Sequence, residues 1–327
     1  MGGDRPANPR CPRRGGARVT SASDTPRLTA IVVSHNTRED LRRCLASLRA
    51  HSGIPCRVVV VDNDSSDGSA DLVEKEFPEA RVIRNRENVG FSRANNQGLR
   101  EAAGAYALIL NSDAELTPGA LPALVARLDA GPRLGVAGPR TLSPDGTVQV
   151  SFGPALTPRA EWRQRRLVRG VKRRDPAALK EAMARAAVEH EPDWLSGSCL
   201  LARKDALDAV GGFDEGFFLY EEDVDLCLRL RRAGWGVLFT PAAEVVHHLG
   251  RSMQTDPARA RLEYHRSHLR FYRKHNGPVL AAALRAFIGA GAALGWLLSI
   301  GPGPARRQRR RQHAQVLGVA IATAARA

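Results

Sequence analysis

The stretch Leu28-Thr-Ala-Ile-Val-Val33 decides the fold, because it is a short apolar run rich in β-branched residues. Such a run is typical of a strand that is buried within a parallel sheet. The polar residues Ser34, His35 and Asn36 follow it directly, and apolar residues at helical spacing begin shortly afterwards, at Leu41. The stretch therefore predicts the first strand of a fold in which strands and helices alternate.

The same alternation continues to about residue 140. Thr37 to Asp40 is typical of a capping box at the start of the first helix. Thr117 and Pro118 predict the start of a later helix, with proline at its first position. Further strands are predicted over 57–61, 81–84 and 105–110, and further helices over 69–77 and 88–103. This pattern predicts an α/β fold with an open, mostly parallel sheet that is flanked by helices.

Polar residues also follow the second and the fourth predicted strand, at the point where each strand ends. They are Asp62-Asn63 and Asn111-Ser-Asp113. The carboxyl ends of parallel strands meet at one rim of a sheet, and ligands bind at that rim in folds of this class. We therefore expect these residues and Ser34–Asn36 to form one binding site.

The two aspartates at this rim suit different ligands. The Asp113 carboxylate can hold Mg²⁺ or Mn²⁺, and such an ion stabilises a diphosphate as negative charge develops on it. The Asp62 carboxylate accepts hydrogen bonds, so it suits an N–H group on the edge of a base or a ribose hydroxyl. Each aspartate is equally compatible with an ordinary turn, so the residues alone leave both interpretations open.

Two further groups of titratable residues lie later in the chain. Glu221-Glu222-Asp223 stands at the start of a helix predicted over 223–233, where the helix dipole favours carboxylates. Mutual repulsion among three adjacent acids raises a carboxyl pKa, which suits a general base. His247-His248 follows a predicted strand, and neutral imidazole is a common metal ligand. Helix capping and a purely structural histidine pair are the alternatives.

The net charge of +15 is concentrated in residues 1–27, 159–175 and 306–326, and the rest of the chain is close to neutral. Residues 1–27 are predicted to be a disordered leader, and 159–190 a basic helical insertion. Basic segments of this kind suit an anionic membrane surface, or reflect an arginine-rich composition without a partner. A nucleic-acid-binding protein needs stacking aromatic residues, but only 5% of the residues are aromatic. We therefore expect no nucleic acid as a partner.

Residues 279–300 form an apolar stretch that is interrupted only by Arg285. Its uncharged part, 286–300, is shorter than the roughly 20 residues that a spanning helix usually needs. The stretch is compatible with lying on a membrane surface, with spanning a membrane, and with packing in solution.

Taken in order, these residues resemble the motifs of one family. The chain from Leu28 to about Tyr272 is similar to the family 2 glycosyltransferases of GT-A fold, and it resembles most closely their bacterial rhamnosyltransferase-like branch. The matching motifs are Val33-Ser-His-Asn36, Val61-Asp-Asn63, Ser66-Asp-Gly-Ser69, Asn88-Val-Gly-Phe91, Asn96, Leu110-Asn-Ser-Asp113, Trp194-Leu-Ser-Gly197, Gly211-Gly-Phe-Asp-Glu215, Phe218–Arg229, His247 and Ser252.

The resemblance implies a donor site and a metal site. The residues that it assigns to the donor nucleotide are Ser34, His35, Asn36, Asp62, Asn63, Asn88, Gly90, Asn111 and Asp113. Asp113 would also ligate Mg²⁺ or Mn²⁺, together with His247 or, alternatively, His248. Asn111 stands where the family motif has its first aspartate, so the ligand set carries less negative charge.

The resemblance also implies catalytic and acceptor residues. Asp223 would be the general base, with Glu222 beside it. The acceptor side would consist of Trp194, Ser196, Gly197, Asp214 and Glu221. One direct displacement would move a sugar, with rhamnose suggested by the branch, and would invert its anomeric configuration.

The expected organisation and partners follow from the same resemblance. Residues 28–275 would form the catalytic domain, with a nucleotide-sugar half over 28–140 and an acceptor half over 191–255. Residues 276–327 would associate with a membrane, which implies a cytoplasmic protein on the inner face of the cytoplasmic membrane. The donor would be a dTDP- or UDP-linked sugar, and the acceptor a glycan or a polyprenyl-diphosphate-linked saccharide.

Two other classes of enzyme or binding protein make different predictions. A dinucleotide-binding oxidoreductase requires a glycine-rich turn after the first strand, but the seven residues after Val33 contain no glycine. A catalytically inactive relative that binds nucleotide sugars would be expected to lack acids such as Asp113 and Asp223, both of which are present.

Overall fold

The computed structural model describes residues 26–249 and 256–322. The predicted leader up to residue 25, and Ser252 among the motif residues, lie outside these ranges. The first half of the described chain alternates strands and helices, which confirms the predicted pattern. Its elements are β1 (Leu28–Ser34), α1 (Arg38–His51), β2 (Cys56–Asp62), α2 (Ser69–Glu76), β3 (Arg81–Arg84), α3 (Phe91–Arg100), β4 (Tyr106–Asn111), β5 (Ala114–Leu116) and α4 (Ala120–Ala130).

The start of α1 differs from the predicted capping box. Thr37 occupies the N-cap position, but its hydroxyl donates to Ser112 Oγ at 2.9 Å and lies 3.0 Å from Ser34 Oγ. Asp40 instead forms an ion pair with Arg43 within the helix. The threonine therefore ties the end of β1 to the loop after β4, which helps to fix the rim.

The predicted start of a helix at Thr117-Pro118 was wrong. The short strand β5 ends at Leu116, and α4 begins only at Ala120, after Gly119 in a left-handed conformation. The Thr117 hydroxyl donates to the carbonyl of Glu244, so it holds the loop against a distant strand and leaves the helix uncapped by its side chain.

The second half of the described chain mixes short strands with helices. Its elements are β6 (Leu134–Leu142), β7 (Val148–Gln149), β8 (Phe152–Gly153), α5 (Pro158–Lys172), α6 (Pro176–Arg185), β9 (Trp194–Leu195), β10 (Cys199–Arg203), α7 (Lys204–Val210), α8 (Glu222–Arg232), β11 (Gly236–His247), α9 (Pro257–His275), α10 (Gly277–Leu298) and α11 (Pro304–Ala322). The basic insertion is helical as predicted, because Thr157 and Asp175 cap its two helices, and a proline follows each cap.

The main sheet has the strand order β3-β2-β1-β4-β10-β6-β11-β5, with β7 paired to β6. Strands β1 to β4 are parallel, as predicted. Strand β10 is antiparallel to both of its neighbours, β4 and β6, so the second half of the sheet is mixed. Because β10 starts beside the carboxyl end of β4, residues 196–198 before it lie at the rim. The Asn111 N–H donates to the Ser198 carbonyl there, at 3.0 Å.

The sheet is buried on both faces, which explains its continuous apolar runs. Val32, Val60 and Leu108 pack on one face against α1, α2 and α4. Ile31 and Ile109 pack on the other face with residues of α7 and α8. Burying each such side chain contributes about 1.5–3 kcal/mol, so the rim is held by a rigid support.

The C-terminal helices contact α8 and the loop before it through α9. Phe271 of α9 lies in one apolar cluster with Phe217, Val224 of α8 and Ala281 of α10. Helix α10 is the one helix within the described ranges that is long and apolar enough to cross a membrane. Most of its apolar side chains are solvent-exposed, including Phe287, of which 78% is exposed.

Candidate active site

A cleft of about 430 Å³ opens at the carboxyl ends of β1, β2 and β4. It brings together twelve residues that the sequence assigned to the site, from segments far apart in the chain. They are His35, Asn63, Asn88, Gly90, Asn111, Asp113, Ser196, Gly197, Glu221, Glu222, Asp223 and His247. The cleft is also lined by Ser112, Phe218, Leu219 and Tyr220, which lie within the quoted motifs but were assigned no role, and by Ser198 and Leu249, which the sequence analysis missed.

The end of β2 is organised around Asp62, which is buried beside the cleft. Asp62 Oδ2 accepts from the Ser65 N–H at 3.1 Å, and within the described ranges Oδ1 has no hydrogen-bond partner. Burial raises the pKa of Asp62, against hydrogen bonds from Ser65 that lower it. A buried oxygen without a partner is costly, which suits an acceptor that a ligand N–H or O–H would satisfy.

Asn36 and Ser34 support the same rim from below. Asn36 has a positive φ of 54°, and its side-chain oxygen accepts from the Ser66 N–H at 2.8 Å. Ser34 is fully buried, and its carbonyl accepts from the Asn63 N–H at 2.8 Å. His35 lines the cleft and is held through Nδ1, 2.8 Å from the Asn63 carbonyl. Ser34 and Asn36 therefore shape the site from outside its lining.

Hydrogen bonds of Asn63, Asn88 and Gly90 join the end of β2 to the loop before α8. The Asn63 amide donates to Asn88 Oδ1 at 2.9 Å, and Asn88 Oδ1 also accepts from the Gly90 N–H at 3.0 Å. Gly90 has a φ of +88°, and a Cβ there would lie 2.6 Å from the Phe218 carbonyl oxygen. The adjacent Phe91 N–H donates to that same carbonyl at 2.7 Å. Glycine is therefore required at this contact.

Asp113 and His247 face each other in the cleft, with His247 Nε2 lying 3.1 Å from Asp113 Oδ1. The Gln149 amide donates to the His247 carbonyl at 2.7 Å, so its oxygen faces His247 Nδ1 at 3.0 Å. Nδ1 therefore donates to Gln149, which fixes the ring with Nε2 directed at Asp113. Asn111 Nδ2 lies 3.5 Å from the same ring nitrogen.

This donor set fits a divalent cation. Carboxylate oxygen and imidazole nitrogen are suitable ligands, and an outer hydrogen bond such as that from His247 Nδ1 to Gln149 typically fixes a ligating histidine. Among the described residues, no group of three or more His, Cys, Asp or Glu side chains could hold a metal by itself. A cation between Asp113 and His247 would therefore need further ligands, which phosphate oxygens supply.

His248 points to a different place. Its Nε2 lies 2.6 Å from Glu115 Oε1, and Glu115 also pairs with Arg43. Of the two histidines, His247 is therefore the one that faces Asp113. The sequence could not separate the two, because the choice depends on the twist at the end of β11.

The acids at the start of α8 line the cleft as well, and we call this part of its lining the acid wall. Asp223 Oδ2 accepts from the Gly197 N–H at 2.8 Å, and Oδ1 accepts from the Val224 N–H at 2.8 Å. Burial raises the pKa of Asp223, while these two hydrogen bonds limit the rise. Burial and the neighbouring Asp223 raise the pKa of Glu222 well above its usual value. Of the two carboxylates, Asp223 is the one whose charged form is stabilised by backbone N–H groups.

The backbone before α8 is strained. Tyr220 and Glu221 have φ values of 72° and 63°, a left-handed conformation that side chains other than glycine rarely adopt. Such strain persists only where surrounding contacts enforce it, and it is common at functional sites. The sequence carries no glycine or asparagine here to indicate the turn.

Trp194 and Asp214 lie away from the described lining of the cleft. The Trp194 indole donates to the Pro154 carbonyl at 2.8 Å and packs against the apolar core. Asp214 accepts from Arg270 at 2.9 Å and from Lys274 at 2.7 Å. Trp194 thus ties β9 to the end of β8, and Asp214 ties α9 to the loop after α7.

The comparisons with known proteins agree with this geometry. The family model described as "Glycosyl transferase family 2" matches residues 29–210. The chain is 33% identical over 315 residues to N-acetylglucosaminyl-diphospho-decaprenol L-rhamnosyltransferase of Mycobacterium tuberculosis, and the match covers 87% of this chain and 96% of that protein.

Solved structures share the fold at lower identity. The mannosyltransferase PcManGT from Pyrobaculum calidifontis, in complex with GDP-Man and Mn²⁺, matches with a TM-score of 0.54 and 18% identity, over 91% of this chain and 86% of that chain. GalNAc-T7 with UDP, GalNAc and Mn²⁺ matches with a TM-score of 0.52 and 16% identity, over 68% and 43% of the two chains. The predicted resemblance is confirmed: this chain belongs to glycosyl transferase family 2, resembles its rhamnosyltransferases, and is a glycosyltransferase enzyme of GT-A fold.

Proposed function

We propose that this enzyme is an inverting, divalent-cation-dependent glycosyltransferase that moves a sugar from a nucleoside-diphosphate sugar to a hydroxyl group. One observation carries the proposal. The Asp113–His247 pair and Asp223 line the same cleft. Asp113 and His247 could hold a cation that stabilises the negative charge of a diphosphate. Asp223 could accept a proton from the acceptor hydroxyl. Both requirements of the reaction are therefore met in one cleft.

The reaction follows from these positions. Asp223 accepts the proton of the acceptor hydroxyl while that oxygen forms a bond to the anomeric carbon. The bond from the anomeric carbon to the phosphate oxygen breaks, and the nucleoside diphosphate leaves with the electron pair. Attack and departure on opposite faces of one carbon invert its configuration. Asp113 and His247 would hold Mg²⁺ or Mn²⁺, which would supply positive charge to stabilise the departing diphosphate.

The donor half binds the nucleotide through a few polar groups. Asp62 Oδ1 accepts from the base or the ribose, and Ser34–Asn36 shape the rim around it. Asn63 and Asn88 hold Gly90 close to Phe218, which leaves space for the sugar between the two walls. Asn111 contributes its amide beside the diphosphate.

The substrates are proposed from the printed name of the mycobacterial relative. We assign a rhamnose donor, linked to dTDP or UDP, and an acceptor saccharide carried on a polyprenyl diphosphate in cell-surface polysaccharide synthesis. Residues 28–275 form the catalytic domain in this proposal, and residues 276–327 attach it to the membrane that carries the acceptor.

Helices α10 and α11 support a peripheral position on an anionic membrane. Val279, Phe287, Leu294 and Leu298 are exposed apolar residues of α10, and the first half of α11 carries five exposed or partly exposed arginines over 306–311. Other residues of α10 pack against α9 and α11. A helix with one face on the protein and the other free to meet lipid lies on the surface, and arginines beside it favour anionic headgroups. The protein would thus be cytoplasmic, on the inner face of the membrane.

The test is transfer by the purified full-length chain. dTDP-rhamnose, UDP-rhamnose, UDP-glucose and GDP-mannose are each incubated with a polyprenyl-diphosphate N-acetylglucosamine acceptor, and products are identified by mass spectrometry. We expect the acceptor to gain the mass of a deoxyhexose with a rhamnose donor. NMR of the product should show an anomeric configuration opposite to that of the donor. Activity should be lost in EDTA and return with Mg²⁺ or Mn²⁺. Full activity in EDTA, or retention of configuration, would refute the proposal.

A further inference from the structure

A buried histidine lies between the catalytic helix and the basic insertion. His268 of α9 is almost fully buried, and its Nδ1 lies 2.6 Å from Glu221 Oε1, while its Nε2 lies 3.2 Å from Glu161 Oε1 of α5. Carboxylate oxygens only accept hydrogen bonds, so each ring nitrogen must carry a proton. His268 is therefore an imidazolium that bridges two acids.

The surroundings of His268 hold this charge in place. The Tyr272 hydroxyl donates to Glu161 Oε2 at 2.8 Å, and the Tyr264 ring stacks on His268 with centroids 5.5 Å apart. Arg165 pairs with Glu161, so two acids face two cations. The titratable or charged groups that act on this cluster from α5, α8 and α9 are Glu161, Arg165, Glu221, Asp223, Tyr264, His265 and Tyr272.

The histidine contacts the strained turn directly. Glu221 is one of the two consecutive residues with positive φ, and its carbonyl accepts from the Asp225 N–H at 2.8 Å in the first turn of α8. The preceding residue of α9, Ser267, donates its hydroxyl to the Leu219 carbonyl at 2.7 Å. Two neighbouring side chains of α9 therefore hold both ends of the turn that leads into Glu222 and Asp223.

We infer that His268 is a positioning residue, which holds the Tyr220–Glu221 turn in its strained conformation and thereby directs Asp223 toward the acceptor hydroxyl. The inference rests on the proposed function for its catalytic consequence, but the positioning of the turn is a property of the fold. In this inference, the orientation of the Asp223 carboxylate depends partly on α9 and on the insertion helix α5, which lie outside the cleft.

Burial and ion pairing determine how His268 responds to pH. Burial disfavours the charged ring, but hydrogen bonds to Glu161 and Glu221 outweigh it and raise the pKa of His268 to about 9. The bridge is therefore complete at neutral pH and is lost as pH rises through about 9, since the folded pKa lies above the ordinary value near 6.5. We expect the rate of transfer to fall on the alkaline side with the same apparent pKa.

The chain offers a matched control on the same pair of helices. His275 of α9 is also buried, and its Nε2 lies 2.7 Å from Asp225 Oδ1 of α8. Replacing this histidine removes a comparable acid–histidine contact between the same helices, but leaves the contacts of Ser267 and His268 with residues 219–221 in place, and Asp225 keeps its ion pairs with Arg229 and Lys274. A general loss of packing would affect both variants alike.

The experiment compares His268→Gln with His275→Gln in the full chain. We expect His268→Gln to lower kcat at least tenfold, to leave the donor KM within about twofold, and to remove the alkaline limb near pH 9. Hydrogen exchange in peptides covering 219–225 should speed up in this variant only. His275→Gln should keep kcat within about twofold and should retain the limb.

A second variant keeps the inference testable if His268→Gln does not fold. Glu161→Gln removes one acid but leaves the Glu221 contact, so the pKa of His268 falls and the alkaline limb should move to lower pH. An unmoved limb, or equal loss of kcat in both histidine variants, would overturn the inference. If the wild type transfers no sugar, the proposed function fails, whereas unchanged exchange of 219–225 in His268→Gln refutes the positioning role itself.

Discussion

The two walls of the cleft are built in different ways. The proposed donor wall consists of residues at or just after the ends of strands, such as Asn63 after β2 and Asn111 at the end of β4. The acid wall consists of a turn held by distant helices, because Asp223 bonds to Gly197 and Glu221 bonds to His268. A rim of parallel strands thus fixes its polar groups through local sequence, whereas the general base depends on long-range packing.

Asp223→Asn breaks the acid wall at its functional group and should have the largest effect. Loss of a general base lowers the rate by about 10²–10⁴-fold, and asparagine retains the shape and an oxygen for the Gly197 N–H. Donor affinity, measured by calorimetry with the nucleoside diphosphate, should stay within about twofold. Asp208→Asn on the exposed side of α7 serves as a control. Retained turnover would exclude Asp223 as the base.

Gly90→Ala breaks the contact between the two walls. The added Cβ meets the Phe218 carbonyl and forces a left-handed backbone on alanine, so the free energy of unfolding should fall by about 1–3 kcal/mol. Gly119 has a similar φ of +80°, but a Cβ there meets nothing within 4 Å among the described residues. Gly119→Ala thus measures the backbone strain alone. Equal loss of stability by urea denaturation in both variants would contradict the close contact.

His247→Ala sharpens the comparison on the donor wall. The concentration of Mn²⁺ that gives half-maximal activity should rise by at least roughly 10- to 100-fold. Loss of an outer-shell partner of a ligand already costs this much in metal affinity, and His247 is a proposed ligand itself. His248→Ala should leave this concentration nearly unchanged, because His248 faces Glu115. A larger metal effect from His248→Ala would reverse the assignment.

Phe287→Ser tests the surface that lies outside both walls. Removing one exposed aromatic side chain from the lipid-facing side of α10 should weaken binding to vesicles with anionic lipid by about 1.5 kcal/mol, or roughly tenfold. Val188→Ser, at an exposed apolar residue of the domain surface, is the control. Deletion of residues 279–327 should release the chain altogether, and unchanged sedimentation with vesicles would count against a membrane surface.

The sequence predicted the donor wall well because its signals are local. A buried strand that ends in Asp62 or in Asn111 predicts both where the rim of the sheet lies and which polar residues stand there. The family resemblance then added Asp223 and His247, which composition and spacing left ambiguous. The antiparallel direction of β10 was not predictable in this way, because it depends on where the chain returns after the basic insertion.

The acid wall was only partly predictable, because its supports are far apart in the chain. His268 and Glu161 are separated by more than a hundred residues, and neither belongs to a motif. Glu161 was also hidden by its surroundings, since it is one of two acids in a segment read as a basic surface. Asp214 is the reverse case, because it belongs to a motif but forms an ion pair with Arg270 of α9 instead of lining the cleft.

The backbone contact between Phe91 and Phe218 restricts how this chain could be recombined with its relatives. In a chimaera that takes only residues 28–140 from a relative, the loop at Gly90 would come from the relative and the loop at Phe218 from this chain. The two loops are joined by a hydrogen bond of 2.7 Å from the Phe91 N–H to the Phe218 carbonyl, and Gly90 has no room for a Cβ beside it. Donor preference could therefore be transplanted only together with the turn that carries the acids. The two halves are separate in sequence, but this contact couples their backbones.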